Sequence, residues 1–193
     1  LYAIRGSGTL RWDDEEIHWN TGDVIILPGG AQQQHTAGGE DGAVLWMCTN
    51  QPLLAFDNAR PLPTGESTIR PAHYTRAAMM AALQHAFTQT RRNGRQARSV
   101  MFGTDEPGGG TASPGFTVAL NSIPERDHQL PHRHNSAAIS LVLEDRDCFS
   151  MVGDVRVPWS EFATFLTPAG EPHSHHNPTV AAAMLLIVQD GGF

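Results

Sequence analysis

The chain has 193 residues, 40% of them apolar and 17% charged, with a formal net charge of −7. That length and apolar share suffice to bury one large core or two compact ones, and the acidic balance argues against a nucleic-acid partner. The longest apolar runs, Val24 to Leu27 and Ala181 to Val188, fall far short of the roughly 20 residues that cross a bilayer, so no membrane segment is expected.

Cys48 and Cys148 lie in apolar, strand-like stretches with no metal-ligand spacing between them. Buried free thiols in a cytoplasmic protein are the expectation. No signal-peptide pattern is seen in this chain, which opens at Leu1.

In chain order, residues 1–56 predict short β-strands: LYAIRG, TLRW, a turn at DDEE, IHW, a turn at Gly22-Asp23, then VIILP. Strands this short and evenly spaced indicate a sandwich or barrel rather than βαβ units. Residues 57–73 are rich in Pro and Gly and predict a connector. A helix is predicted over 75–90, with Thr75 as N-cap and Met79, Leu83 and Phe87 repeating at i, i+4, i+8. Arg91, Arg92, Arg95 and Arg98 flank Asn93-Gly94 and read as a solvated turn. The strand pattern returns over 99–193: SVMFG, FTVALNSI, AAISLVLE, CFSMVG, VRVPW, FATFLTP and AAAMLLIVQD, with a hairpin turn at Gly153-Asp154. Gly108 to Gly110 read as a loop and not as a phosphate cradle, because no helix signal follows.

The two β segments repeat one another. Trp19 to Pro28 aligns with Trp159 to Pro168, each an apolar strand running from a Trp into a Pro nine residues later. The same alignment sets Gln33 against His173, His35 against His175, and Leu1–Ile4 against Ser140–Leu143. The expected architecture is therefore all-β, with two tandem barrels: 1–56 a partial N-terminal barrel, 57–98 a linker carrying the helix, and 99–193 the C-terminal barrel. By this alignment the first-half counterparts of His132 and His134 would fall roughly six to eight residues before Leu1, so the N-terminal barrel is expected to be truncated.

Of the ten histidines, six lie within residues 128–176. His132 and His134 are two apart, so an extended PHRHNS segment projects both imidazoles from one face and Arg133 from the other. His173 follows Pro168 after an Ala-Gly-Glu-Pro turn that can aim it at the same point. Three imidazoles on a rigid barrel would hold a divalent ion and leave its opposite side open to water, substrate or dioxygen. An isolated H-x-H is more often incidental, and the signal here rests on both pieces recurring where a barrel brings them together. Gln33, a neutral amide and a poor ligand for such ions, stands in the third-ligand place of the first half, so that barrel is expected to be metal-free. His18, His73 and His85 are expected to be surface or satisfied core residues, His35 is expected to be structural with substitution for the missing third ligand as the alternative, and His128 and His176 either support the site or sit in solvated loops.

The pattern H-x-H, apolar strand, turn, strand ending in Pro and a His five residues later resembles the two motifs of the cupin superfamily, and the internal repeat resembles a bicupin. Cupins commonly add a Glu ligand three or four residues after the second His, where this chain has Ala138 and Ile139; Glu144 reads as a loop residue. The absent Glu, together with PHRHNSAAISLVLE and TPAGEPHSHHN, is similar to the gentisate and salicylate 1,2-dioxygenase group. That resemblance implies Fe(II) held by His132, His134 and His173, with Zn, Mn or Ni as alternatives. It also implies a substrate contact and proton-moving role for His175, and substrate-facing places for Asn121 and Ser140. The group's substrate-gripping Arg is replaced here by Ser140, and its members carry their metal in the first barrel, whereas the complete triad of this chain is in the second. The implied activity is ring cleavage of a small hydroxylated aromatic or related substrate with O2, in a homo-oligomer. A cupin lyase, isomerase or hydrolase using the ion as a Lewis acid, and a non-enzymatic small-molecule-binding bicupin, are the alternatives.

Overall fold

A computed structural model describes residues 1–63, 65–67, 69–88, 98–103, 112–113, 115–144 and 147–191. The expected turn at Arg91–Arg95, helical residues 89–90 and the loop Gly108 to Gly110 lie outside the described residues. By its internal contacts the chain divides into two units, one formed by residues 1–79 and one by the described residues from 80 onward. No described helix is long and apolar enough to cross a membrane.

In the first unit the strands are β1 (Tyr2–Arg5), β2 (Ser7–Trp12), β3 (Glu15–Asn20), β4 (Val24–Ile26), β5 (Gln33–Ala37) and β6 (Val44–Trp46). They are followed by α1 (Gln51–Phe56), β7 (Ala72–Tyr74) and the start of α2 (Arg76–Thr88). One sheet has the order β6-β1-β4-β7 and the other β3-β2-β5, all pairs antiparallel. Ala3 and Ile25 of the first sheet pack with Leu10 and Trp19 of the second to make the core. The turn expected over Asp13–Glu16 is tighter than that: Asp13, at φ 54°, and Asp14 form it, and Glu15 and Glu16 already belong to β3.

The stretch expected as a connector contributes β7, which pairs with β4 through Val24↔Tyr74 and Ile26↔Ala72. Its anchor is Asp23, 4% exposed, which accepts hydrogen bonds from Asn20 N (3.0 Å), Arg76 N (2.9 Å) and His73 Nε2 (2.9 Å). Burial raises the Asp23 pKa, but these donors outweigh it and hold the carboxyl below its ordinary range. The same contact makes His73 a satisfied residue. Helix α2 starts where Thr75 predicts, with Thr75 Oγ1 accepting from Ala78 N at 3.2 Å, and Met79 and Leu83 are buried.

The second unit is built from β8 (Arg98–Phe102), β9 (Phe116–Ile123), β10 (Asp127–His132), β11 (Ala138–Val142), β12 (Phe149–Val152), β13 (Val155–Pro158), β14 (Thr164–Thr167), β15 (His173–Asn177) and β16 (Ala183–Asp190). Its sheets run β14-β11-β16-β9-β8 and β10-β15-β12-β13. Between them lies a core of Ile123, Ala138, Val142, Cys148, Trp159, Ala183, Leu185 and Ile187. Along β16, Ala183, Leu185 and Ile187 face this core at i, i+2, i+4, while Leu186 and Val188 on the other face are buried as well. Both cysteines are free; Cys148 is buried but Cys48, just past the end of β6, is only half-buried.

The two units share a topology. The β2–β3 hairpin with β5 corresponds to the β12–β13 hairpin with β15, and β6-β1-β4 to β16-β11-β14. β5 starts at Gln33 and β15 at His173, the two positions that the repeat aligns. This is the all-β architecture of two repeated units expected from the internal repeat.

Candidate metal centre

The ligand atoms of His132, His134 and His173 lie within 4.8 Å of one another, the one such group of three among the described residues. His132 ends β10, His134 follows it in extended chain, and His173 opens β15 beside them. Along β10 the register shifts between Gln129, opposite His175, and His132, opposite His173. That irregularity lets Gln129 and His132, three residues apart, face the same side. The turn before His173 is tied to this segment: Gly170, at φ 76°, donates its N–H to the His134 carbonyl at 2.8 Å.

Each ligand histidine is oriented by its other nitrogen. His132 Nδ1 lies 3.0 Å from the Leu130 carbonyl, His134 Nδ1 2.7 Å from the Ser136 carbonyl, and His173 Nδ1 3.0 Å from the Glu171 carbonyl. A carbonyl oxygen only accepts, so all three Nδ1 atoms carry the proton and all three Nε2 lone pairs face the site. Burial, and to a lesser degree the His132 and His134 rings, hold His173 below the ordinary imidazole range, with the Glu171 carbonyl acting the other way. Neutral imidazole is the metal-binding form.

The three rings border a cavity of about 80 Å³ between the sheets of the second unit. Asn121, Ser140 and His175 line it as expected, joined by Gln129, Thr167 and Gln189. No Lys, Arg, Asp or Glu is among the described lining residues. Gln189, held by Thr117 Oγ1 at 3.4 Å, sets its amide nitrogen 3.0 Å from His134 Nε2. Gln129 Oε1 is buried without a hydrogen-bond partner, an acceptor waiting for a donor in the cavity. The residues thus fit a divalent ion: three convergent imidazole nitrogens and an orphan acceptor beside them.

His175 is 3% exposed, and burial, aided by His173 and the other nearby imidazoles, pushes its pKa down to about 3. A ring that stays neutral across physiological pH does not shuttle protons by titrating; it offers a fixed donor or acceptor. Its Nδ1 lies 2.7 Å from Ser150 Oγ, which accepts from Trp159 Nε1 at 2.9 Å. Gln129, Ser150 and Gln189 were not anticipated from sequence; for Gln189 the strand parity of Leu185 and Ile187 was a usable signal.

His128 and His176 take no part in the cavity lining. Their rings stack at 5.8 Å, and His176 stacks on Phe149 at 4.6 Å, with Arg156 over Phe149 at 4.0 Å. In the first unit Gln33 and His35 are exposed, with Oε1 and Nε2 3.4 Å apart.

No family model and no curated protein matches the chain. Among solved structures, salicylate 1,2-dioxygenase from Pseudaminobacter salicylatoxidans superposes with a TM-score of 0.78 at 12% identity, covering 99% of this chain and 64% of that one. A mutant of the same enzyme gives 0.76 at 13% identity over the same shares, and a complex of that mutant with gentisate gives 0.60 at 18% identity over 72% and 42%. The chain thus spans 64% of the length of the dioxygenase it superposes on. At these identities the likeness is one of fold: the chain has the fold of the matching part of salicylate 1,2-dioxygenase.

Proposed function

We propose that the chain is the metal-bearing part of a non-haem Fe(II) dioxygenase that cleaves a small chelating substrate, of the hydroxylated aromatic class or related to it, with O2. The observation that carries this reading is the set of three convergent, pre-oriented imidazoles with no carboxylate among the described residues of the ligand group or the cavity wall. His132, His134 and His173 would hold the ion. Bound there, a ferrous ion supplies a redox-active centre with positions free for a bidentate substrate and for dioxygen.

The chain's own residues do the rest. A cavity of about 80 Å³ has room for roughly two or three waters' worth of ligand, which suits the chelating edge of a small molecule. With no cation among the described wall residues, the metal is the group that balances the substrate's negative charge, and Ser140 offers a hydroxyl where an arginine clamp would sit. Asn121 and His175 supply hydrogen bonds that orient the substrate, and Gln129 Oε1 receives its donor. Holding the reactants together at fixed angles supplies a large part of the rate.

The salicylate 1,2-dioxygenase fold and the gentisate complex of that protein support the choice of class. The test is oxygen uptake by iron-loaded protein over gentisate, salicylates, catechols and diketones. The reading predicts uptake of O2 in step with substrate loss. Turnover that proceeds equally without O2 and with Zn(II) would overturn it in favour of Lewis-acid chemistry.

A further inference from the structure

The two units form an internal comparison at one buried position. In the register of β2 with β5, Leu10 faces His35; in that of β12 with β15, Ser150 faces His175. The tryptophans of the two hairpins match as well. Trp19 Nε1, beside Leu10, is buried without a partner. Trp159 Nε1 donates to Ser150 Oγ at 2.9 Å, and Ser150 Oγ lies 2.7 Å from His175 Nδ1. A hydroxyl is thus present beside the tryptophan of the unit that carries the three-histidine group and missing from the other.

The proton count around Ser150 is constrained. Its side chain is fully buried, and its two side-chain partners are Trp159 and His175. The indole only donates, so it occupies a lone pair of Oγ. If His175 Nδ1 also donated, the hydroxyl proton would be left without a partner in a buried place, at the cost of an unmade bond. The arrangement that satisfies all three groups has Trp159 donating to Ser150 and Ser150 donating to His175 Nδ1.

We propose that Ser150, held by Trp159, is a positioning residue that fixes His175 as the Nε2–H tautomer and so presents a neutral hydrogen-bond donor to the cavity. The partner it selects is an acceptor oxygen on the substrate: a phenolate, enolate or carboxylate that also reaches the metal. The consequence for substrate rests on the function proposed above, while the tautomer does not.

The primary test is ring nitrogen-15 NMR of the metal-free protein, with the His175 signals identified by their loss in His175→Gln. A pyridine-like Nδ1 and a pyrrole-like Nε2 are expected in the wild type, a mixed or reversed pattern in Ser150→Ala, and recovery in Ser150→Thr. A wild-type proton on Nδ1, or an unchanged tautomer in Ser150→Ala, overturns the proposal. Should Ser150→Ala fail to fold, the wild-type spectrum still decides. In cobalt-loaded protein, azide is the probe: Ser150→Ala should weaken its binding about fivefold with cobalt stoichiometry unchanged, and equal azide affinity would overturn the positioning role. A wild type that holds no cobalt would instead count against the proposed function and leave the tautomer result standing.

Discussion

Asn177→Asp is a nearly isosteric change at the far end of β15, the strand that carries His173 and His175, and it should be severely destabilising. Asn177 is 1% exposed. Its amide nitrogen lies 3.0 Å from the Ile123 carbonyl, 3.0 Å from that of Pro124 and 2.8 Å from that of Ala181. Its oxygen accepts from Thr179 N (3.0 Å), Thr179 Oγ1 (2.7 Å) and Cys148 Sγ (3.3 Å). A carboxylate keeps the acceptor side but turns the donor side into an oxygen facing three carbonyls. Two N–H donors are lost and buried acceptors are left unmade, at about 1–3 kcal/mol each, so the total reaches about 3–6 kcal/mol, against a typical domain stability of about 5–15 kcal/mol. Asn177→Ala removes the bonds without adding charge and should cost less, about 2–4 kcal/mol. Urea unfolding at neutral pH, followed by tryptophan fluorescence, measures both. The carboxyl's pKa in the folded state is raised, so the folded form binds more protons, and the Asp variant should regain stability as pH falls toward the ordinary carboxylate range near about 4. An Asp variant within about 1 kcal/mol of wild type, or more stable than the Ala variant, refutes the hydrogen-bond reasoning.

Asp23 has a depressed folded pKa, so the stability it contributes is present above its ordinary value of 3.8 and lost as pH falls through the folded value. Asp23→Asn should flatten the acid limb of a stability-versus-pH curve, and an unchanged limb would contradict the three bonds assigned to it. Gln189 competes for the His134 Nε2 lone pair, so Gln189→Ala should raise zinc affinity by about two- to tenfold in a chelator competition. A drop of similar size would show that the amide helps to hold the ion.

Much of the scaffold was legible because the long strands are apolar runs bounded by turn residues, as in Phe116–Ile123 and Ala183–Asp190, whose residues are buried or half-buried along nearly their whole length. The Thr75 cap and the Gly153-Asp154 hairpin carried local signals of their own. The internal repeat was the stronger signal, since it set Gln33 against His173, and both positions open strands. Elements without periodicity were missed: all five residues of β5 are exposed, α1 has only six residues with Pro52 in its first turn, and β7 is three residues long.

At the site, the three histidines and the lining residues Asn121, Ser140 and His175 were found from spacing and resemblance. Gln129 was hidden by the register shift in β10, because parity counted back from His132 points it to the wrong face. Ser150 looks like any small polar residue in CFSMV; the role proposed for it depends on Trp159, just past β13, and on His175 of β15. The neutral state of His175 follows from burial, which no spacing rule reports.

Elemental analysis of the purified protein, alongside His132→Ala and His173→Ala, tests the metal centre most directly. One equivalent of divalent metal per wild-type chain is expected, with little or none in either variant while both keep the wild-type circular dichroism. Full metal content in both variants, or a folded wild type that binds no divalent ion when one is supplied, would contradict the account.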